Sequence, residues 1–326
     1  MTVFHILLIG AGQLGSRHLQ AIALSNLNIS ISVVDPSEAS LIAGKTRFEQ
    51  IEDSKNINSI NFYTSMSKVE NEVDLCVLAT NADCRLSVLK ELLGHLTVKN
   101  ILFEKVLFQS EEQLDEAQEL LAEHNINAWV NCPRRMQPIY KKLKELLKNE
   151  DYIKFKVHGD NWGLACNAIH MIDIWAYLMN NTDYELNTQK LLPQLFDSKR
   201  KNFKELCGEL TGSLGKNEIT LKCDINNEGV TVFQSIKTPN YIIKIDETLG
   251  FCKIKHLETK QSEIIDFNMI FQSNLTNVAA ETIINHGFSD LTIFSESVSL
   301  HRPFLKSILE FINDHSDQKY TLCPIT

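Results

Sequence analysis

The chain of 326 residues lacks the features that mark membrane, secreted and nucleic-acid-binding proteins. None of its apolar runs approaches the roughly 18 residues that a membrane-spanning helix needs, and no leader-like segment is visible. Its eight cysteines include no CxxC pair, so we expect reduced thiols in the cytoplasm and no metal site. A formal net charge of -9 provides no overall basic surface for nucleic acid.

The first 130 residues show an alternation of strand-like and helix-like segments. Apolar runs such as Phe4–Ile9, Ile29–Val34 and Asp74–Ala79 are separated by segments with helical spacing. This order predicts a doubly wound parallel sheet. Beyond residue 130 the pattern changes, and the alternating runs between Gln189 and Asn268 predict a largely antiparallel, open sheet with one solvated face.

A GxGxxG motif joins the first strand to the first helix, and the motif runs through Gly10, Gly12, Gln13, Leu14 and Gly15. In such a motif the first glycine permits a tight turn, and the second lets the backbone approach a pyrophosphate. The third glycine lets the helix pack closely on the strand. The motif in this context predicts that a dinucleotide binds at the first strand-to-helix turn.

The second strand ends at Asp35, 20 positions beyond Gly15. A carboxylate at this distance can accept the ribose hydroxyls of an adenosine, and it would repel a 2′-phosphate. The spacing therefore predicts NAD, with NADP as the less favoured cofactor. The alternative is that Asp35 only opens the solvated turn "DPS".

Two later strand ends are expected at the same edge of the sheet, where ligands bind in such folds. Ala79, Thr80 and Asn81 follow one buried strand, and Glu104 and Lys105 follow the next. We expect the first four of these residues to contact the cofactor, and Lys105 to orient or protonate a reacting hydroxyl. The alternatives are an ordinary turn for residues 79–81 and a surface lysine in a loop.

Several ordered segments resemble the Gfo/Idh/MocA family of glucose–fructose oxidoreductases and inositol dehydrogenases. They are GAGQLGSRH, VVD, VLATNAD, FEKVLFQSEEQLDEA, RRMQPIY and AIHMIDIWAYL. The resemblance covers the chain to about residue 140 and the helix around His170. It implies an NAD(P)-dependent oxidoreductase that interconverts a hydroxyl and a ketone on a sugar or nucleotide-sugar. The segments NCPRRM, SLHRPFLKSIL and CPIT also resemble a subgroup from bacterial surface-sugar gene clusters.

The resemblance implies roles for particular residues. Lys105 matches the lysine of the family's Glu-Lys-Pro motif, and His170 matches the histidine of its substrate helix. His18, three residues past the glycine motif, is a family mark. Departures from the family pattern include Val106, which replaces a proline, Cys166, which replaces an aspartate, and Ala168, which replaces a glycine.

The predicted substrate site also includes Arg134, Arg135, Asn167 and Asp173. The two arginines could hold a carboxylate or phosphate through forked hydrogen bonds, and the alternative is that they form internal ion pairs. The alternative for Asp173 is a structural role. The departures at Val106 and Cys166 favour a second hypothesis, a non-catalytic dinucleotide-binding sensor or scaffold of the same fold.

The expected fold class is α/β, with two domains. Residues 1–130 would form a dinucleotide-binding Rossmann domain with a doubly wound parallel sheet. Residues 131–326 would form an α+β domain that binds substrate and mediates oligomerisation through its open antiparallel sheet. The expected partners are a small sugar or nucleotide-sugar and further copies of the chain, as a dimer or tetramer, with neither nucleic acid nor membrane.

Overall fold

A computed structural model describes residues 2–52, 54, 56–226 and 229–326 of the chain. The chain divides into two compact units, and each is built around its own sheet. The first unit comprises Met1–Phe108, Glu112–Pro133 and Ile270–Ser295. The second unit comprises Gln109–Glu111, Arg134–Met269 and Glu296–Thr326.

The chain up to Val130 alternates strands with helices, as its apolar pattern predicts. Its helices are α1 (Gly15–Ala23), α2 (Glu38–Phe48), α3 (Ala82–His95) and α4 (Glu111–Glu123). Its strands are β1 (Phe4–Ile9), β2 (Ile29–Val34), β3 (Ile57–Tyr63), β4 (Glu72–Val73), β5 (Leu75–Leu78), β6 (Thr97–Val98), β7 (Asn100–Phe103) and β8 (Asn127–Val130).

The rest of the chain is richer in strands. Its helices are α5 (Pro138–Leu147), α6 (Leu164–Met179), α7 (Thr276–His286) and α8 (Phe294–Asp314). Its strands are β9 (Lys154–Asp160), β10 (Glu185–Leu191), β11 (Phe196–Asp197), β12 (Lys204–Glu205), β13 (Gly208–Leu214), β14 (Asn217–Asp224), β15 (Thr231–Lys237), β16 (Tyr241–Asp246), β17 (Phe251–His256), β18 (Ser262–Asp266) and β19 (Thr292–Ile293).

The large sheet of the first unit confirms the predicted doubly wound architecture. Within the described residues its strand order is β19-β8-β7-β5-β1-β2-β3, and every pair is parallel except β19 with β8. All residues of β5 and β7 are buried, as expected for strands covered on both faces. The strand order reverses between β1 and β5, and ligands bind at such a reversal in this class of sheet.

The predicted division at residues 130 and 131 differs from the structure, because residues 270–295 return to the first unit. In that segment β19 adds an antiparallel edge to β8, and α7 packs against α1. The Glu281 carboxylate of α7 accepts the N–H of Asn26, just after α1, at 2.7 Å. The apolar side of α7, including Ala280 and Ile283, is buried, so the segment completes the core of the first unit.

The large sheet of the second unit has the order β10-β13-β14-β9-β15-β16-β17-β18 among the described residues. Its pairs are antiparallel except β14 with β9, which run parallel. Buried residues alternate with more exposed ones along β9 and β14, and α6 packs against β14. The sheet therefore has one covered and one solvated face, as the sequence predicts. In the part of the chain that the structure describes, no helix is long and apolar enough to cross a membrane.

Two lysines oppose each other on the solvated face of this sheet. Lys244 of β16 pairs directly with Lys253 of β17, and both are exposed. Like charges directly opposite each other destabilise neighbouring strands. We expect Lys253→Glu to raise the free energy of unfolding by about 0.5–1 kcal/mol, because attraction replaces repulsion. Urea unfolding at low salt measures this change.

Lys255 provides the matched control on the same strand. It lies opposite Ile242 and Ser262, so Lys255→Glu changes the net charge equally without altering a directly opposed lysine pair. We expect Lys255→Glu to give less than about half of the stabilisation, and added salt to reduce the difference between the variants. Equal stabilisation by both variants would show a general charge effect and contradict the pairwise explanation.

Candidate functional site

The turn between β1 and α1 is tightly packed at Gly15 and has free space beside Gly12. A Cβ atom at Gly15 would lie 1.8 Å from the carbonyl oxygen of Gly10, so only glycine lets α1 begin this close to β1. Gly10 itself has a φ of 95° and lies against the backbone of Ala79. A Cβ atom at Gly12 would meet no atom within 4 Å. The backbone at Gly12 therefore faces open space, as binding of a pyrophosphate requires.

Gln13 and Leu14 complete this loop, and Leu14 immediately precedes the first residue of α1. Arg47 of α2 donates through Nη1 to the carbonyl oxygen of Gln13 at 2.9 Å and also to the hydroxyl of Ser16. Sequence reasoning missed Arg47. Its guanidinium fixes the loop and adds positive charge beside the N-terminus of α1, which itself attracts anions.

Asp35 follows β2 and lies beside the glycine loop, as its spacing predicts. Its Oδ2 accepts the N–H of Ala11 at 2.7 Å, and its Oδ1 accepts the N–H of Ser37 at 2.8 Å. These two bonds fix a half-buried carboxylate next to the open backbone. A carboxylate held in this way can accept ribose hydroxyls and opposes a 2′-phosphate.

Ala79, Thr80 and Asn81 follow β5, which neighbours β1, and Asn81 directly precedes α3. The Thr80 hydroxyl is buried and, among the described residues, has no hydrogen-bond partner of satisfactory geometry. The thiol of Cys84, a weak donor, lies nearby. Because buried polar atoms are nearly always hydrogen-bonded, the Thr80 hydroxyl is suited to a polar group of a bound ligand.

Arg85 of α3 connects the ends of β5 and β7. Its guanidinium donates to the carbonyl oxygen of Leu107 at 2.7 Å and to the carbonyl oxygens of Val106 and Thr80. The Lys105–Val106 peptide bond within this segment is cis although residue 106 is not proline. Sequence reasoning missed Arg85. The spacing of the sequence could have identified it, because Arg85 lies on the same buried face of α3 as Leu89 and Leu92.

Glu104 and Lys105 follow β7, and both are buried. The Glu104 carboxylate accepts from His18 Nε2 at 2.8 Å and from Asn131 Nδ2 at 2.5 Å. Burial alone would raise the pKa of this carboxyl, but the hydrogen bonds from His18 and Asn131 and the charge of Lys105 hold the pKa below its usual value. Glu104 is therefore an ionised carboxylate beside Lys105. These hydrogen bonds all lie within the protein, so the contact of Glu104 with a cofactor stays a prediction.

In the second unit, α6 carries Cys166, Asn167 and His170 on its partly exposed side, while most of the helix is buried. Residues three and four positions apart lie on one face of a helix, so all three side chains share this side. The Asn167 Nδ2 donates to the carbonyl oxygen of Trp162 at 2.7 Å and fixes the loop before the helix. His170 and Cys166 lie one helical turn apart.

Arg134 and Arg135 are engaged by carboxylates of the second unit. Arg134 forms a fork with Glu247, in which Nε and Nη2 lie 2.9 and 2.8 Å from the carboxylate oxygens. Arg135 Nε bonds Asp173 at 2.8 Å, and its Nη2 bonds Glu296 at 2.9 Å. This geometry favours the internal ion-pair alternative over substrate binding for Arg134, Arg135 and Asp173.

The first unit fits a dinucleotide of the NAD type. Open backbone at Gly12, the fixed carboxylate of Asp35 and the buried hydroxyl of Thr80 all lie at the carboxyl ends of neighbouring parallel strands. In such a sheet this is the edge that binds the pyrophosphate and the riboses.

Comparisons with known proteins agree that the first unit has an NAD-binding fold. Residues 4–132 match the sequence model of the Gfo/Idh/MocA group, described as "Oxidoreductase family, NAD-binding Rossmann fold". No curated protein matches the sequence. Solved structures resemble nearly the whole chain at low identity, so they show the fold alone.

Three solved structures illustrate this likeness. A Gfo/Idh/MocA family oxidoreductase from Vibrio cholerae is 16% identical with a TM-score of 0.68, over 95% of this chain and 99% of that one. UDP-N-acetylglucosamine 3-dehydrogenase GnnA from Acidithiobacillus ferrooxidans is 14% identical with a TM-score of 0.71, over 95% and 97%. An oxidoreductase from Agrobacterium radiobacter in complex with NAD+, L-tartaric acid and magnesium is 11% identical with a TM-score of 0.72, over 97% and 98%.

The first unit is thus built on an NAD-binding Rossmann fold of the oxidoreductase type. Through this domain the chain is similar to the Gfo/Idh/MocA family, and its fold resembles that of a solved family member along nearly its full length. The resemblance inferred from the ordered sequence motifs is confirmed.

Proposed function

We propose that the protein is an NAD-dependent oxidoreductase that interconverts a hydroxyl and a ketone on a sugar or nucleotide-sugar. The observation that carries the proposal is the glycine loop, whose backbone is open at Gly12 beside the fixed carboxylate of Asp35. The substrate class is supported by the likeness to a UDP-N-acetylglucosamine 3-dehydrogenase. The cofactor is supported by the likeness to an oxidoreductase in complex with NAD+ and to GenD2 in complex with NAD.

NAD, when bound, accepts or returns the hydride. The chain's own residues hold the cofactor and move the proton. In this proposal the cofactor is held by Gly10, Gly12, Gln13, Leu14, Gly15, Asp35, Ala79, Thr80, Asn81 and Glu104. Lys105 stabilises the developing alkoxide as a cation. His170, whose side chain type titrates near neutral pH, exchanges the hydroxyl proton. Asn167 remains a candidate for holding the substrate.

The setting of the enzyme is part of the same proposal. A cytoplasmic homo-oligomer acting on a small sugar is supported by the reduced cysteines and the open sheet of the second unit.

The second candidate function is a non-catalytic NAD-binding sensor, which the unusual Cys166 favours. A screen of sugars and UDP-sugars with NAD+ and with NADH, followed by the absorbance of the reduced nicotinamide, distinguishes the two. Turnover supports the enzyme, and NAD binding without turnover supports the sensor.

The cofactor cradle is tested by adding one methyl group at Gly12. We expect Gly12→Ala to weaken binding of NAD+ by at least about tenfold, because the Cβ atom enters the space where the pyrophosphate approaches the backbone. The free energy of unfolding should change by less than about 1 kcal/mol, since the new atom meets nothing in the protein. Calorimetric titration with NAD+ and thermal unfolding measure the two effects.

Gly94, near the end of α3, is the matched control, because a Cβ atom there also meets no atom within 4 Å. Gly94→Ala should leave the affinity for NAD+ unchanged. If Gly12→Ala bound NAD+ as tightly as the unaltered protein, the assignment of this loop as the cofactor cradle would be wrong.

A further inference from the structure

Five side chains of the first unit form a closed ring of hydrogen bonds. His18 Nε2 lies 2.8 Å from Glu104 Oε1, and His18 Nδ1 lies 2.8 Å from the Thr276 hydroxyl. Gln272 Nε2 donates to the same hydroxyl at 2.8 Å. Asn131 Nδ2 closes the ring, since it donates to Gln272 Oε1 at 2.9 Å and to Glu104 Oε1 at 2.5 Å.

A donor and an acceptor can be assigned to each hydrogen bond of this ring, starting from Asn131. The Asn131 amide supplies two protons, one to Glu104 and one to Gln272. The Gln272 amide then donates to Thr276, which leaves the Thr276 hydroxyl proton for His18 Nδ1. In a neutral His18 ring the proton then lies on Nε2 and is donated to Glu104. Every bond of the ring has one donor and one acceptor, and the carboxylate is the final acceptor.

The ring joins parts of the sequence that no single motif contains. His18 lies in α1, Glu104 follows β7, and Asn131 follows β8. Gln272 and Thr276 come from the segment 270–295, which returns to the first unit. His18 and Thr276 are 0% and 1% exposed, so the hydrogen bonds between them are shielded from water.

We infer that Asn131, Gln272 and Thr276 are positioning residues for Lys105. They fix His18 as the Nε2–H tautomer, whose hydrogen bond holds the Glu104 carboxylate in place, and Glu104 in turn accepts the N–H of Lys105 and positions this lysine at the end of β7. Glu104 and Lys105 are adjacent in the chain, and the Lys105 N–H lies 3.3 Å from Glu104 Oε2. This inference rests on the proposed catalytic role of Lys105.

Thr276 is the residue on which the tautomer depends. Thr276→Val keeps the shape of the side chain but removes the hydroxyl that donates to Nδ1. The Nδ1–H tautomer of His18 then becomes accessible, and in that tautomer Nε2 has no proton to donate to Glu104. Thr276→Ser keeps the hydroxyl and should preserve the ring. Thr282→Val is the control on the same helix, because the Thr282 hydroxyl bonds the carbonyl oxygens of Val278 and Ala279.

The tautomer can be read directly by ¹⁵N NMR of the histidine rings in cofactor-free protein, with the His18 signals assigned by their loss in His18→Gln. We expect the Nε2–H form in the unaltered protein, in Thr276→Ser and in Thr282→Val, and a mixture in Thr276→Val. In the turnover assay, Thr276→Val should lower kcat by about tenfold with unchanged KM, and serine should restore it. An unchanged His18 spectrum in Thr276→Val would overturn the inference.

The charge of Glu104 is tested with Glu104→Gln, which keeps the shape of the side chain. Glutamine removes the charged acceptor of the His18 Nε2–H and the Oε2 acceptor of the Lys105 N–H. We expect the ¹⁵N signals of the His18 Nε2–H and of the Lys105 amide to move in cofactor-free protein, because a neutral amide accepts more weakly than a carboxylate. His18→Gln and Lys105→Met assign the two signals, and unchanged signals in Glu104→Gln would overturn the inference.

These measurements separate the inference from the proposed function. If no sugar is turned over, the two NMR measurements still decide whether the ring sets the tautomer of His18 and whether the Glu104 carboxylate links His18 to the backbone of Lys105. If Lys105→Met abolishes turnover but the NMR signals of the ring variants match those of the unaltered protein, the proposed function stands and the inference fails.

Discussion

Replacing Lys105 by methionine is expected to lower kcat by at least about 100-fold on the sugar substrate that screening identifies. Methionine keeps an unbranched apolar stem in a position that is 8% exposed, but it removes the ammonium group that would stabilise the alkoxide. The affinity for NAD+ should change by less than about threefold, because binding of the cofactor depends on the glycine loop and Asp35. Stopped-flow turnover and calorimetric titration with NAD+ measure the two effects.

Lys99 provides a control at the opposite end of the same strand. Lys99 directly precedes β7, its side chain is 63% exposed, and it pairs with Asp74 at 2.7 Å. Lys99→Met should leave kcat and the affinity for NAD+ unchanged, since the amino ends of the parallel strands lie away from the ligand edge. Full activity of Lys105→Met, or an equal loss in Lys99→Met, would contradict a specific role for Lys105.

The parts of the first unit that were predictable from the sequence are those that local patterns encode. The apolar runs of β1, β2 and β5 and the spacing from Gly15 to Asp35 each depend on residues close together in the chain. Strand β3 had no comparable signal, because it lies at the edge of the sheet and its residues are only partly buried. An edge strand exposed in this way lacks the continuous apolar run that indicates a central one.

The contacts that could not be predicted join residues far apart in the chain. Thr276 bonds His18 across 258 positions, and the segment that carries it completes the first unit through a strand of only two residues, too short to show a period. The arginine pair after Pro133 had the composition of an anion site. Its carboxylate partners come from distant elements, so the sequence could only leave the two interpretations open.

The Arg135 ion pairs give the largest stability effect that we expect. Arg135 and Asp173 are 7% and 1% exposed in their side chains, and Glu296 completes the cluster. Burial would lower the pKa of the guanidinium, but the two carboxylates hold it above its usual value, so Arg135 stays charged. The guanidinium also lies over the ring of Tyr177, 5.3 Å from its centroid. Removing it leaves a buried carboxylate without its counter-charge.

Arg135→Met should therefore lower the free energy of unfolding by about 3–5 kcal/mol, as measured by urea unfolding at neutral pH. Lys190→Met is the control within the same unit, because it breaks an exposed pair with Glu209 and should cost less than about 1 kcal/mol. Arg135→Lys should lie between the two, since an ammonium keeps the charge but cannot form the fork that engages both carboxylates. If Arg135→Met were no more destabilising than Lys190→Met, our expectation would be wrong that the ion pairs of Arg135 with Asp173 and Glu296 stabilise the contact of α6 with the N-terminal part of α8.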